Sequence, residues 1–565
     1  MKLRRAGIFL IVVIIVFGWL LWNRPRRAEM AGYVPAESLA FVEVNDLPEL
    51  AEGIVNTDAW KTLSSPSAAS LGFSHSRWLT SLARWTGIGS IETVLLARSQ
   101  FAISWMDVSQ TETGTILSVK PVAALVVETH TTQFRMRAVL EKRIEELVHR
   151  KYPDAQLQRK TFAGVDLFEW SSPGATPQIV FAFFGTVVVI GNDERPVQAC
   201  IAVLNGERPS LISSEVYNTL KSKLETTNVP VAIGFLSQLG LKTALPYLPD
   251  VFSRSSNSSN APQLLANVAA SLVKGIAWIP RFVNGAVEDH YIYLLADGVA
   301  QKMHDGIVPE HPRPIRFAEL LPIDTKSFTQ YNLRQPVEAW RGLNTAISLH
   351  ADALSGIFTR QALANVLASY GVKDPDVFFG SIGPEISTVR LDNSESPMVI
   401  GQILDGATLS KQLHQRLGED PIVERIGDAE ISISRDPKGG AASLLGNEFL
   451  MGAAEDLRRS LAARAASSSI SANESFKRAQ QLLNPSALET SITFSSDDSD
   501  AISFVLLFSP NRKEAFLEKA GVLHEAAKQL PYSVKTTELN EDSVTQTSRS
   551  SFGLLGSLLA RILSD

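Results

Sequence analysis

Two widely separated stretches of the chain lie over one another without a gap, and a duplicated body limits the possible folds more than any other feature. Val34-Pro35-Ala36-Glu37-Ser38-Leu39-Ala40-Phe41-Val42-Glu43-Val44-Asn45 matches Leu321-Pro322-Ile323-Asp324-Thr325-Lys326-Ser327-Phe328-Thr329-Gln330-Tyr331-Asn332, with the proline, the phenylalanine and the asparagine identical. Later landmarks recur in the same order: Pro121-Val122 and Pro397-Met398 before strands, Gly164 and Gly427 before strands, then a strand that stops at Gly191 or Gly452. In both copies the next helix carries an acid in its first turn (Glu194, Glu455). A second helix then starts near a serine (Ser213, Ser471) and holds an aromatic residue (Tyr217, Phe476). Glycine permits the sharp turn, and an acid complements the positive helix N-terminus. The expected fold is α+β: an N-terminal transmembrane helix followed by two tandem copies of a mainly antiparallel sheet-plus-helices unit, residues 31–300 and 315–550. Adjacent strands with separate helices disfavour a wound parallel sheet.

The transmembrane helix is the run from Ala6 to Trp22, AGIFLIVVIIVFGWLLW, which contains no charge. At about 1.5 Å of rise per residue it covers roughly 25 Å, close to the thickness of a hydrocarbon core. Lys2, Arg4 and Arg5 precede it, Arg24, Arg26 and Arg27 follow it, and Trp19 and Trp22 mark one interface. A cleaved signal peptide would show a shorter apolar core and a small-x-small site, whereas here arginines follow directly and Glu29 spoils the site before Ala31. A retained single-pass anchor with the lipid bilayer as partner is the expectation. The balanced flanks set orientation only through the free amino terminus, which places residues 1–5 in the cytoplasm and the body outside it. A cytoplasmic body is the alternative.

Along the body, strands are expected at 41–44, 93–106, 122–128, 164–170, 179–184, 186–190, 231–236, 276–283 and 290–296, and in the second copy at 491–494, 502–508, 533–539 and 543–547. Helices are expected at 47–63, 77–86, 131–150, 194–204, 213–224 and 511–529, from apolar residues at helical spacing. Residues 253–262, SRSSNSSNAP, form a polar low-complexity loop, and residues 301–314 a proline-rich linker between the copies. The segment 551–565 is an amphipathic helix with Leu555, Leu558, Leu559 and Ile562 on one stripe. Its single basic residue, Arg561, favours docking on its own domain over a membrane surface.

Composition excludes several classes. With 45% hydrophobic and 20% charged residues the 565-residue chain is globular, and a net charge of −6 offers no basic field for nucleic acid. The single cysteine, Cys200, rules out an intrachain disulfide and a cysteine-built metal site, and its apolar surroundings mark it as a buried hydrophobe. No nucleophile elbow, phosphate loop, HExxH pair or calcium-binding EF-hand loop occurs. Gly87-Ile88-Gly89 lacks the third glycine of a dinucleotide fingerprint and reads as a turn. His304-Asp305 with Glu310-His311 could ligate a metal, but the intervening prolines favour a solvated linker. Asp497-Asp498-Ser499-Asp500 lacks the glycine and distal glutamate of a calcium loop. Glu37 and Asp324 recur one residue before a hydroxyl and suit turn capping better than acid/base catalysis. Trp60, Trp78, Trp85 and Trp340 fall on helix faces as core residues, with an aromatic groove as the alternative. No catalytic, cofactor-binding or metal-ligating residue is assigned, and no cofactor is expected.

The proline-acid-hydroxyl opening, the strand ending at Gly191 or Gly452 before an acid-bearing helix, and the serine-started helix after it resemble the domain of unknown function 3352 family of bacterial envelope proteins. The resemblance implies a membrane-anchored, extracytoplasmic protein of the bacterial inner membrane and carries over no catalytic residues. The functional expectation is a non-catalytic binding or scaffold module with a protein or envelope-component partner. An envelope hydrolase with a site assembled from distant residues is the alternative, and a structural spacer or assembly factor is a third.

Overall fold

Strand β1 (Ala40–Val44) shows how the body is built: Phe41 and Glu43 are buried while Ala40, Val42 and Val44 are half-buried, the period of two that sends alternate side chains to opposite faces. The computed structural model describes residues 27–64, 98–113, 116–151, 153–172, 175–224, 229–244, 269–350, 361, 363–364, 367–368, 372–394, 396–436, 439–494, 501–503, 505 and 521–562. Further strands are β2 (Gln100–Thr113), β3 (Ile116–Glu128), β4 (Gln156–Phe162), β5 (Val165–Ser172), β6 (Ala175–Phe184), β7 (Val187–Gly191), β8 (Ala232–Ser237), β9 (Val273–Val283) and β10 (Ala286–Leu295). The second half adds β11 (Thr325–Asn332), β12 (Ile382–Leu391), β13 (Met398–Ile403), β14 (Ile422–Ile426), β15 (Ala429–Ile433), β16 (Ala441–Leu445), β17 (Glu448–Gly452), β18 (Glu489–Thr493), β19 (Ser533–Leu539) and β20 (Ser543–Ser550).

These strands form one antiparallel sheet of 20 strands. From one edge the pairing runs β4, β5, β6, β7, β3, β2, β1, β8, β9, β10. It crosses to β20 and continues β19, β18, β11, β12, β13, β17, β16, β15, β14. The order on one side of the β10–β20 seam is thus the mirror of the order on the other, and the isolated bridges Pro35–Ser210 and Pro322–Ser469 occupy corresponding places.

This corrects the expected fold class. An N-terminal transmembrane helix followed by two tandem sheet-plus-helices units gives way to a single large antiparallel sheet with helices. Among the described residues no helix is long and apolar enough to cross a membrane. The run from Ala6 to Trp22 lies outside the described residues. The sheet is continuous because both halves end in a long hairpin whose last strand is free to pair: β10 and β20 meet along Val287 to Leu294 and Ser543 to Ser550. The β9–β10 hairpin turns on Asn284 and Gly285, both at positive φ, as tight two-residue hairpins require.

Each half buries side chains on both faces of the sheet. On one face Phe41, Val126, Val189, Ile201 and Tyr217 form a core with the helices Glu194–Leu204 and Glu215–Lys223. Phe328, Ile400, Leu450, Leu461 and Phe476 do the same with Ala454–Ala465 and Glu474–Gln480. On the opposite face Met136 of the helix Gln133–Lys151 packs on Phe168 and Phe181, and Leu409 and Leu413 of Gly406–Leu417 pack beside Phe449. The alternation within β7 makes this explicit, since Val187 and Val189 join the first core and Val188 the other.

Several local expectations change. The helix at 47–63 is two, Leu47–Val55 and Asp58–Leu63, because Asp46 and Thr57 each cap a new start. Residues 301–307 of the linker belong to the helix Val299–Ile307. Residues 501–503 and 505 are helical, where a strand was expected at 502–508. The helix at 77–86, the loop at 253–262 and residues 511–520 lie outside the described residues. The closing helix, Gly553–Ile562, starts on the sheet itself, its Leu554 amide donating to Asp289 Oδ2 at 2.8 Å.

Candidate functional site

The densest buried polar network lies where residues 27–33 cross the end of the first half's sheet. Gln100, at the first position of β2, turns its carboxamide onto the backbone of Ala28: Oε1 accepts from the Ala28 amide at 2.7 Å and Nε2 donates to the Ala28 carbonyl at 2.9 Å. The same Nε2 donates to Asn45 Oδ1 at 2.7 Å, and Asn45 Nδ2 donates to Glu43 Oε1 and to the Pro230 carbonyl, each at 3.1 Å. Glu128, at the end of β3, accepts from the Tyr33 hydroxyl at 3.1 Å, from Thr186 Oγ1 at 2.9 Å and from the His130 amide at 2.7 Å. His130 holds a left-handed backbone, φ 50°, and its Nε2 lies 3.1 Å from Gln100 Oε1. Burial pulls the His130 imidazole below its usual value, and burial with Glu128 alongside pushes the Tyr33 hydroxyl up to about 12. This part of the network is satisfied, a clamp on the crossing segment.

Glu43 departs from that pattern. It is 4% exposed, its Oε2 has no hydrogen-bond partner, and burial pushes its carboxyl above the usual range. The Tyr217 hydroxyl, also buried without a partner, is raised by burial and by Glu43. Lys221 pairs with Glu29 and sits over the Tyr217 ring. The second half builds the same corner without these groups. Gln330 stands where Glu43 does, donating to the Pro314 carbonyl at 3.1 Å and to Asn332 at 2.8 Å and accepting from the Arg316 amide at 2.9 Å. Asn332 reaches the Ala487 carbonyl at 3.0 Å, and Phe476 fills the place of Tyr217.

A second polar group lies on the seam. His290 Nε2 is 2.6 Å from Glu288 Oε1 and Nδ1 is 3.4 Å from Thr547 Oγ1, with His290 and Thr547 directly opposite. The His290 contact holds the Glu288 carboxyl below its usual range, aided by Arg549 and Arg281. Hydroxyl, imidazole and carboxylate in line suggest nucleophilic catalysis, but the rest of that machinery is missing here. The hydroxyl contact is long, and the flanking backbone amides belong to ladders on both sides, so none is offered to a developing oxyanion. The nearest cleft, about 340 Å³ and open, is lined by Glu49, Glu52, Asn56, Thr57, Phe282 and the Asn284–Ala286 turn, not by the His290 group.

Neither the family models nor the curated proteins nor the solved structures contain a match to this chain.

The residues singled out in the sequence are not gathered into one place. Cys200 is fully buried and its thiol is pushed up to about 12 by burial. His304 and Asp305 lie exposed on a helix, while Glu310 pairs with Arg334, and among the described residues no group of three or more histidine, cysteine or acidic side chains could hold a metal. Glu37 pairs with Arg208 and Asp324 with Arg459, while the neighbouring hydroxyls of Ser38 and Thr325 close the turns onto the Pro35 and Pro322 carbonyls at 2.7 Å. Trp60 is buried edge-on against Phe552, and Trp340 tilts over Phe379. Gly87-Ile88-Gly89, Trp78, Trp85 and Asp497-Asp498-Ser499-Asp500 lie outside the described residues. Sequence reasoning missed Gln100, Glu128, His130, Glu288 and His290, which are isolated polar residues inside strand-like runs. The pairing of Glu43 with Gln330 in the duplicated stretch was the one available signal.

Proposed function

We propose that the chain is a non-catalytic binding or scaffold protein of the bacterial envelope, associated with the lipid bilayer through Ala6 to Trp22, with its body outside the cytoplasm. The observation that carries the binding reading is the open sheet: among the described residues β4 and β14 each pair on one side only, along an exposed edge. Residues 156–161 of β4 are all exposed, and Ile422 and Val423 of β14 are 45% and 55% exposed. An extended segment of a protein partner can add to such an edge through main-chain hydrogen bonds, with side-chain contacts supplying selectivity. The bilayer association is supported by the uncharged run and its basic flanks, and the envelope placement by the family resemblance.

A photo-reactive side chain placed at Leu157 or Val423 of the full chain, in its own membranes, tests this. A discrete adduct that disappears when Gln158 or Glu424 is replaced by proline supports edge binding. No adduct at either edge overturns it. The Thr547–His290–Glu288 line favours a hydrolase as the second reading. Covalent labelling of Thr547 by a fluorophosphonate, lost in His290→Ala, would support that one instead.

A further inference from the structure

The corner where residues 27–33 cross the sheet exists twice: the second copy sets Arg316 against Glu385 and Glu448, and the first buries a carboxyl, Glu43, with an unpartnered oxygen. In the second half the crossing segment is held by an amide, Gln330, whose oxygen and nitrogen are both used on Arg316 and Pro314. In the first half the equivalent amide work is done by Gln100 from the neighbouring strand. Glu43 accepts from Asn45 Nδ2 at 3.1 Å and from the Met30 amide, and its Oε2 is left without a partner. The fold closes an equivalent corner with Gln330 and Phe476 at these two places, so a buried carboxyl with an unpartnered oxygen, together with an unpartnered tyrosine hydroxyl, is not a requirement of the architecture.

We propose that Glu43 is a proton-controlled latch: with its carboxyl neutral the strap formed by residues 27–33 stays down on the sheet, and loss of the proton lifts the strap. Burial sets the direction: Asn45, Lys221 and the Met30 amide favour the charged form, and Glu29 opposes it. The strap contributes the Met30 amide, which donates to the carboxyl, and Glu29, whose charge opposes ionisation. The helix Glu215–Lys223 contributes Tyr217 and Lys221, and β1 contributes Asn45. Lys221, the only cation among these groups, is shared with Glu29. An ionised Glu43 thus leaves one carboxylate oxygen in the interior with no donor, a costly state that hydration relieves. Water reaches it when the strap leaves. The raised Glu43 value gives the same sign, because the closed form keeps the proton and rising pH favours the open one. His130, 3.8 Å from Glu128, works in the opposite sense because burial disfavours its charged form, so Glu43→Gln separates the two. The outer contacts of the strap, Arg27 with Asp46 and Glu49, are exposed and hold weakly. Seven residues released from the sheet extend the tether before the body by roughly 20 Å, at about 3.3 Å per residue.

Hydrogen exchange of the full chain, read by mass spectrometry at 28–33 and corrected for the intrinsic pH dependence of exchange, tests the latch between pH 5 and 9. Protection of the strap is expected to fall along a single titration as the pH rises, while the second-half segment at 314–320 stays flat. Glu43→Gln should remove the dependence and keep the strap protected, and Tyr217→Phe should retain it. A flat wild-type profile, or one undiminished in Glu43→Gln, overturns the proposal. If Glu43→Gln fails to fold, the wild-type strap compared with 314–320 in the same molecule still decides.

Discussion

Substituting alanine for a helical glycine normally stabilises a protein by up to about 1 kcal/mol, and here the structure reverses the sign at two positions while leaving it at a third. Gly306, in Val299–Ile307, faces the helix Pro336–His350 so closely that an added Cβ would stand 2.3 Å from the Ala339 nitrogen, 2.6 Å from the Glu338 carbonyl carbon and 2.7 Å from the Ala339 Cα. From the other side, a Cβ on Gly342 would meet the Lys302 carbonyl oxygen at 2.5 Å. These neighbours are backbone, so relief requires the two helices to separate by about 1 Å. Overpacking of this kind costs about 1–3 kcal/mol, which outweighs the propensity gain. Gly380, in Pro375–Ser381, has nothing within 4 Å of its Cβ position. Gly306→Ala and Gly342→Ala should each lose about 1–2 kcal/mol, and Gly380→Ala should gain a few tenths to 1 kcal/mol. Urea unfolding followed by tryptophan fluorescence measures all three against the parent. A Gly306→Ala protein as stable as the parent would refute the close crossing of these helices.

Other outcomes follow from the polar groups. Burial raises Asp289 to about 6 from 3.8, so the folded chain keeps a proton that the unfolded chain has released. Its contribution therefore falls as pH rises from about 4 to 6, by at most about 3 kcal/mol, and the stability difference between the parent and Asp289→Asn should shift toward the variant by that order between pH 4 and pH 7.5. A pH-independent difference would contradict the assignment. Gln100→Ala, which strands Asn45 and the Ala28 backbone, should cost about 3 kcal/mol or more in chemical denaturation, and a loss below about 1 would show that the clamp is unimportant. Tyr217→Phe should leave stability unchanged or raise it by about 1 kcal/mol, because the lost hydroxyl has no partner; a clear loss would reveal one. Cys200 should resist thiol reagents at pH 8 in the native protein and react once it is unfolded, as read by mass spectrometry.

In the first half most strands that bury an apolar face were legible in the sequence, whereas β12 and the helices Pro336–His350 and Gly406–Leu417 of the second half were not expected. Val187–Gly191 and Glu194–Leu204 fall where a short apolar run and helical spacing put them. β4 was invisible because an edge strand with six exposed residues has no apolar alternation to read; its partner β5 and the Ala163–Gly164 turn define it. The seam was illegible for a different reason. Sequence correspondence shows that two segments are alike and says nothing about which of their strands pair with each other. β20, Ser-Val-Thr-Gln-Thr-Ser-Arg-Ser, is polar and half-buried, and its register on β10 is set by tertiary contact. The clamp escaped notice because a buried glutamine looks like any other polar residue in a strand until its two backbone bonds are seen. Glu37 and Asp324, the acids that the duplication did bring forward, sit on the surface with arginines.

Everything above depends on both halves sharing one sheet through β10 and β20. Cysteines at His290 and Thr547 stand directly opposite and on the same face, whereas cysteines at His290 and Gln546 point to opposite faces. Mild oxidation of the two double variants, with Cys200 buried as a silent background, should close a disulfide in the first and not in the second. Failure of the first to cross-link, or equal cross-linking of both, would contradict a single continuous sheet in this register.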